Sequence, residues 1–165
     1  MDTFEAFLAE RLDPLLRYAT TLTCDPHQAQ DIVQEVVLRA QQRWDRISRV
    51  DLPAAYVKRM VTNEFLSWRR RTRDLVFPST AIAELTPAVA DPTGGVDDRE
   101  VLLAGIARLP RKQRAAVVLR YYDNRTDAEI AEELRCSAVT VRSHISRAVA
   151  TLRAQFTATC AMEAL

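Results

Sequence analysis

Residues 126–150 read TDAEIAEELRCSAVTVRSHISRAVA, and this stretch decides the fold class. Thr126 and Glu129 stand in the Thr-x-x-Glu pattern of a capping box, which opens a short helix carrying Ile130, Ala131 and Leu134. Arg135-Cys136 makes a turn, without the glycine usual there, and Ser137 caps a second helix with Val141, Ile145, Ala148, Val149 and Leu152 facing inward. Two capped helices across a three-residue turn form a helix-turn-helix pattern, whose second helix enters the major groove. Its other face carries Arg142, Ser143, Ser146 and Arg147, with Thr140 and His144 beside it. Arginine can bond two guanine acceptors at once, and short hydroxyls reach phosphates or base edges. The same residues also fit an ordinary helical hairpin with a solvated basic face.

Upstream of this unit, Leu109-Pro110 introduces a helix running through Val117, Val118 and Leu119 to about Tyr122, and Asp123-Asn124-Arg125 reads as a turn. Before it, Val101, Leu102, Gly105, Ile106 and Leu109 mark another helix. Residues 77–96 break all periodicity with Pro78, Pro87, Pro92 and Gly94-Gly95. A loop of that length is uncommon inside one compact domain. The expected organisation is therefore an all-α chain of two small helical domains, 1–76 and 97–165, joined by a flexible linker at 77–96.

The N-terminal domain divides into three helices. Phe4, Phe7, Leu8, Leu12, Leu15, Leu16, Ala19 and Leu22 recur at spacings of three and four, with a kink expected at Pro14. Asp25-Pro26 supplies an N-cap and a first-turn proline for a second helix with Ala29, Ile32, Val33, Val36, Val37 and Ala40 inward and Trp44 near its end. Residues 45–52 read as a loop. Pro53 opens a third helix expected to bury Tyr56, Val57, Met60, Val61, Phe65 and Trp68, ending in Arg69, Arg70, Arg71 and Arg73. In DIVQEVVLRA, residues 31–40, Asp31, Gln34 and Glu35 share one polar stripe, which spacing alone reads as solvated surface. Lys58, Arg59 and Asn63 could track a phosphate backbone, and fit a plain basic surface helix equally well.

Charge is segregated along the chain. Residues 39–73 hold ten Arg/Lys against three Asp/Glu, and 108–153 hold ten against five, while 1–38 and 74–100 are each net −5. Two basic blocks between acidic stretches imply two contacts with a polyanion. Of the 23 basic residues 21 are arginine, whose planar fork suits phosphates and guanine edges. The three cysteines, Cys24, Cys136 and Cys160, form no CxxC pair, and neither His27 nor His144 completes a zinc spacing, so free thiols and no metal or cofactor are expected. The acidic start MDTFEAFLAE does not read as a secretory leader, and no apolar run approaches a membrane span, so a cytoplasmic location without membrane insertion is expected. No nucleophile–base–orienter pattern or phosphate-cradling glycine loop points to an enzyme. A stand-alone helix-turn-helix regulator and an all-helical protein-binding adaptor remain open on these residues.

Taken in order, several stretches resemble one family. Asp25-Pro26-His27-Gln28-Ala29-Gln30-Asp31-Ile32-Val33-Gln34-Glu35-Val36 and the run Tyr56…Asn63…Ser67-Trp68-Arg69-Arg70-Arg71 resemble region 2 of sigma-70 factors of the extracytoplasmic-function group. Leu109-Pro110-Arg111-Lys112-Gln113-Arg114 with Leu119-Arg120-Tyr121-Tyr122 resembles the start of region 4, and Cys136 to Ala148 its recognition helix. The arginine bias is similar to that of actinobacterial members.

The resemblance implies a promoter-recognition subunit of RNA polymerase with no cofactor. It implies that Asp31, Gln34 and Glu35 grip the clamp helices of the polymerase's largest subunit, and that region 4 meets the flap of the second-largest subunit. It implies a minus-ten site of Arg46, Ser48, Arg49, Tyr56, Arg59, Asn63, Arg69 and Arg70, where the loop from Arg46 to Pro53 captures a flipped base. It implies a minus-thirty-five site of Thr140, Arg142, Ser143, His144, Ser146 and Arg147, and an anti-sigma factor as a further partner. Two departures stand out: Val37 is aliphatic where many relatives are aromatic, and Ala138-Val139 replace polar residues early in the recognition helix.

Overall fold

A computed structural model of the chain describes residues 3–72 and 98–163, and within these residues it is helical without strands. The chain divides into two units, Met1–Leu85 and Thr86–Leu165. The linker expected at 77–96 lies outside the described residues.

In the first unit, α1 spans Phe4–Thr23, α2 Pro26–Gln42, α3 Trp44–Ile47 and α4 Pro53–Thr72. The Thr3 hydroxyl accepts from the Ala6 amide and starts α1. The helix then runs through Pro14 as one element, with that proline on the exposed side. Cys24 ends it in the left-handed region, at φ 54°, and donates its amide to the Thr20 carbonyl. Asp25 accepts from the amides of His27 and Gln28 at 2.9 and 3.3 Å, so the expected cap and first-turn proline of α2 are both in place.

Leu15, Tyr18, Ala19 and Leu22 of α1 meet Ile32, Val33, Val36 and Ala40 of α2 and Val57, Val61 and Phe65 of α4 in one buried core. The Tyr18 hydroxyl shares a 2.8 Å hydrogen bond with the buried Thr62 hydroxyl, and the Lys58 ammonium lies 4.4 Å from the centre of the Tyr18 ring. Two readings need correction here. Residues 44–47 form a helical turn, because Ile47 is drawn into the core (1% exposed) and Trp44 packs against Phe4 and Phe7. Tyr56, expected inside, is 38% exposed: Val57, Val61 and Phe65 already fill the inward face of α4, and Tyr56 lies off that line. The side chain of Trp68 lies outside the described residues.

In the second unit, α5 spans Asp98–Arg108, α6 Arg111–Val117, α7 Asp127–Leu134 and α8 Ala138–Glu163, with a π-helical turn at Val118–Tyr122 between α6 and α7. Ile106, Leu109, Ala115, Ala116, Val117, Val118, Leu119, Ile130, Leu134, Val141 and Ala148 form its core. Leu102, expected on the apolar face of α5, is instead 38% exposed, since Gly105 and Ile106 make the close contact. A Cβ at Gly105 would come within 2.6 Å of Gln155 and 2.9 Å of Leu152, so glycine here permits close approach of α5 to α8. Arg114 donates to the carbonyls of Ala107 and Leu109 and so caps the end of α5.

Candidate nucleic-acid interface

The helix-turn-helix is held by local chemistry at each joint. The Asp123 amide reaches back to the Val118 carbonyl at 3.2 Å, the five-residue step of a π turn, and the Arg125 amide reaches the Leu119 carbonyl at 2.9 Å. Glu129 accepts from the amide and the hydroxyl of Thr126, each at 2.8 Å, while the Thr126 hydroxyl accepts from the Glu129 amide at 3.3 Å. These bonds, with Arg125 beside them, hold the Glu129 carboxyl down from 4.5 to about 2. Hydrogen bonding to Asp123, with Glu129 adding to it, raises the Arg125 guanidinium above its ordinary value. The predicted capping box is thus complete. At the turn, Arg135 adopts the left-handed conformation, φ 52°, where a glycine was missed, and the Cys136 amide closes the end of α7 on the Ala131 carbonyl at 3.0 Å. Ser137 accepts from the Thr140 amide at 3.1 Å and starts α8.

Val141 and Ala148 are fully buried, and this sets the rotation of α8. Of the six residues assigned to the minus-thirty-five site, Arg142, Ser146 and Arg147 are exposed and Ser143 is half-buried. Thr140 spends its hydroxyl on Ser137, 2.8 Å away. His144 turns inward: it is half-buried, its Nδ1 is enclosed, and burial, with Lys112 and Arg147 nearby, lowers its pKa. That shift disfavours the charged ring.

Beside that face lies a groove bordered by Arg120, Tyr121, Asp127, Arg142, Ser146 and Arg153. Asp127 pairs with Arg120, and its other oxygen lies 3.4 Å from Arg142. The sequence reading assigned no site role to Arg120, Tyr121, Asp127 or Arg153. Their spacing carries no periodic signal, because they come from three different elements.

In the first unit, Asp31 and Gln34 are exposed on the outer face of α2. Glu35 differs from them: Arg39 donates to it through Nε at 2.9 Å and Nη2 at 2.7 Å, and the same arginine meets the buried Glu64. Hydrogen bonding to Glu35, with Glu64 adding to it, raises the Arg39 guanidinium above its ordinary value. Arg46, Ser48 and Arg49 are exposed after α2, and Tyr56 and Asn63 are exposed on α4 with Arg59 half-buried between them. Positions 56, 59 and 63 follow the i, i+3, i+7 spacing of one helical face. Arg69 and Arg70 lie in the last turns of α4, with side chains outside the described residues. Ser48 also borders a groove with Phe7, Trp44 and Pro53, which brings α1 to the edge of this surface.

Among the described residues no cluster of His, Cys, Asp or Glu could hold a metal ion, and no helix is long and apolar enough to cross a membrane. Cys24 and Cys136 are half-buried free thiols.

The two units match two family descriptions in order. Sigma-70 region 2 matches residues 7–74, and Sigma-70, region 4 matches residues 99–152. The RNA polymerase sigma-E factor of Streptomyces avermitilis is 37% identical over 91% of this chain and 83% of its own length. The chain belongs to the sigma-70 family, as an RNA polymerase sigma factor of the extracytoplasmic-function group. The sigma-E factor of Streptomyces coelicolor is 36% identical over 94% of this sigma factor and 86% of its own length. The ECF RNA polymerase sigma factor SigL of Mycobacterium tuberculosis is 32% identical over 90% and 85%. The fold is that of a solved sigma factor, RpoE in complex with the anti-sigma factor NepR from Bartonella quintana, at a TM-score of 0.70 and 24% identity over 95% of this chain and 98% of that one. Region 2 of this sigma factor is therefore built on α1–α4 and region 4 on α5–α8.

Proposed function

We propose that this sigma factor docks on core RNA polymerase in the cytoplasm and directs it to promoters through two DNA contacts. The observation that carries the reading is the exposed row Arg142, Ser146 and Arg147 on the second helix of a fully capped helix-turn-helix. These residues read the minus-thirty-five element as duplex, arginine to guanine and phosphate, with Ser143 at the edge of the row. Asp31 and Gln34 bind the clamp helices of the largest subunit, with Glu35 set in place by Arg39. Region 4 meets the flap of the second-largest subunit.

Region 2 handles opened DNA. Arg46, Ser48 and Arg49 hold a flipped base of the minus-ten element, and Tyr56, Arg59, Asn63, Arg69 and Arg70 support the pocket and hold the non-template strand. Extruding a base costs a few kcal/mol, which a base pocket and a basic strand track offset. Each contact alone is weak and salt-sensitive. Tethering both to one polymerase raises the effective concentration of the second once the first has formed. An anti-sigma factor, such as the one bound in the RpoE structure, is a further partner that holds this chain off polymerase.

Run-off transcription with core polymerase and a promoter library tests the reading. Promoter-specific transcripts should appear only when the sigma factor is added. Duplex binding that leaves transcription untouched would replace the proposal with a stand-alone regulator.

A further inference from the structure

Three elements converge on one carboxylate in region 4. Asp127 is the first residue of α7, Arg120 comes from the π turn and Arg142 from the recognition helix. Arg120 pairs with Oδ1 of Asp127, and Nη1 of Arg142 lies 3.4 Å from Oδ2. The Asp127 side chain is 28% exposed and that of Arg120 30%, whereas that of Arg142 is 60% exposed.

The carboxylate therefore holds one edge of the Arg142 guanidinium and leaves the rest open to solvent. An arginine reads guanine through two parallel donors in a fixed plane, so orienting the fork before contact lowers the ordering cost of that contact. A phosphate, by contrast, accepts an arginine from many directions, and a carboxylate beside it repels it. A lone acidic group at a DNA-facing edge would weaken all binding. Arg120 removes that penalty by taking the other oxygen, and the positive end of α7 adds to it.

Resting on the assignment of Arg142 to base reading, the geometry points to Asp127 as a positioning residue that makes Arg142 selective for a base edge over the phosphate backbone, with Arg120 as its neutralising counter-charge. The capping box itself uses only Thr126 and Glu129, which leaves the Asp127 carboxylate to Arg120 and Arg142.

The test uses full-length protein in holoenzyme with core polymerase. Wild-type holoenzyme first selects its preferred duplex from a library randomised over the upstream element. Affinities for that duplex and a scrambled one are then compared for wild type, Asp127→Asn, Arg142→Ala and the double variant. Asp127→Asn should cut the preferred-to-scrambled ratio about three- to tenfold, part of what one bidentate arginine–guanine pair supplies. Scrambled binding should hold or strengthen, as a negative charge has left the face. In the Arg142→Ala background the same change should leave the ratio where it is.

A merely structural Asp127 would lower the ratio equally in both backgrounds, which overturns the inference. So does an unchanged ratio in Asp127→Asn when Arg142→Ala lowers it, and the proposed function then stands. An unchanged ratio in Arg142→Ala removes the base-reading assignment and the inference together. Thermal melting checks that Asp127→Asn folds. Asp127→Ser, also suited to a first helical turn, should reproduce the loss, and Asp127→Glu should recover part of it.

Discussion

Arg39 of α2 lies 2.8 Å from Glu64 of α4, and the carboxylate it meets is only 2% exposed. Breaking a buried ion pair by removing one partner is strongly destabilising. Arg39 also holds Glu35, so one side chain joins the core of region 2 to the edge of the proposed polymerase stripe.

Arg39→Ala should therefore destabilise region 2 by about 2–4 kcal/mol, since the buried Glu64 loses its 2.8 Å ion pair with Arg39. Glu64→Gln should cost less, because the amide keeps a hydrogen bond without the charge. Both tryptophans, Trp44 and Trp68, belong to region 2, so urea unfolding followed by tryptophan fluorescence reports on this unit. Equal midpoints for Arg39→Ala and wild type would contradict the pairing.

Tyr18→Phe removes a buried hydroxyl from its 2.8 Å bond to Thr62 and leaves the ring in place. The expected loss is about 1–2 kcal/mol, the usual consequence of removing one partner of a buried hydrogen bond. Tyr18→Phe with Thr62→Val should cost less than the sum of the two single changes, which a double-mutant cycle measures.

The Glu129 carboxyl is held at about 2 in the folded chain, against an ordinary 4.5. A depressed carboxyl stabilises the fold above its unfolded value, and that contribution fades as pH falls through the folded value. The stability advantage of wild type over Glu129→Gln should be full above about pH 4.5, shrink below it, and be gone only once pH falls below about 2. Melting followed by far-ultraviolet circular dichroism at a series of pH values gives the curve. A constant difference across that range would show that ionisation of Glu129 is not the source.

Arg135 pays for a left-handed backbone that glycine adopts freely. Arg135→Gly should stabilise region 4 by about 0.5–1 kcal/mol, read as a raised melting temperature. A lowered one would mean that the Arg135 side chain contributes more than its backbone strain removes.

Asp31→Ala together with Gln34→Ala should weaken association with core polymerase without shifting the unfolding midpoint, as both side chains are exposed. Arg147→Ala should relax or abolish upstream-element recognition while core binding persists. Unchanged start-site choice with Arg147→Ala would displace it from the recognition surface.

The helices, caps and helix-turn-helix were legible in linear order because their causes are local. Asp25 caps residues two and three places on, Thr126 and Glu129 cap each other across one turn, and buried positions repeat with the helical period. Other features depend on distant partners. Ile47 pulls residues 45–47 out of the expected loop, and Tyr56 is exposed because Val57, Val61 and Phe65 fill the inward face of α4. His144, expected beside the reading face, is half-buried with its Nδ1 enclosed, which its position in the sequence does not show.

The division into two helical units, each with a basic block, and the helix-turn-helix of the second therefore belong to the order of residues, since periodicity and capping act within a few positions. Which charges face outward belongs to packing. Tyr18 finds Thr62 across 44 positions and Arg142 finds Asp127 across 15. Such pairs exist only after separate helices have buried their apolar faces and brought distant polar groups into reach, and the distance dependence of electrostatics then decides which of those groups pair.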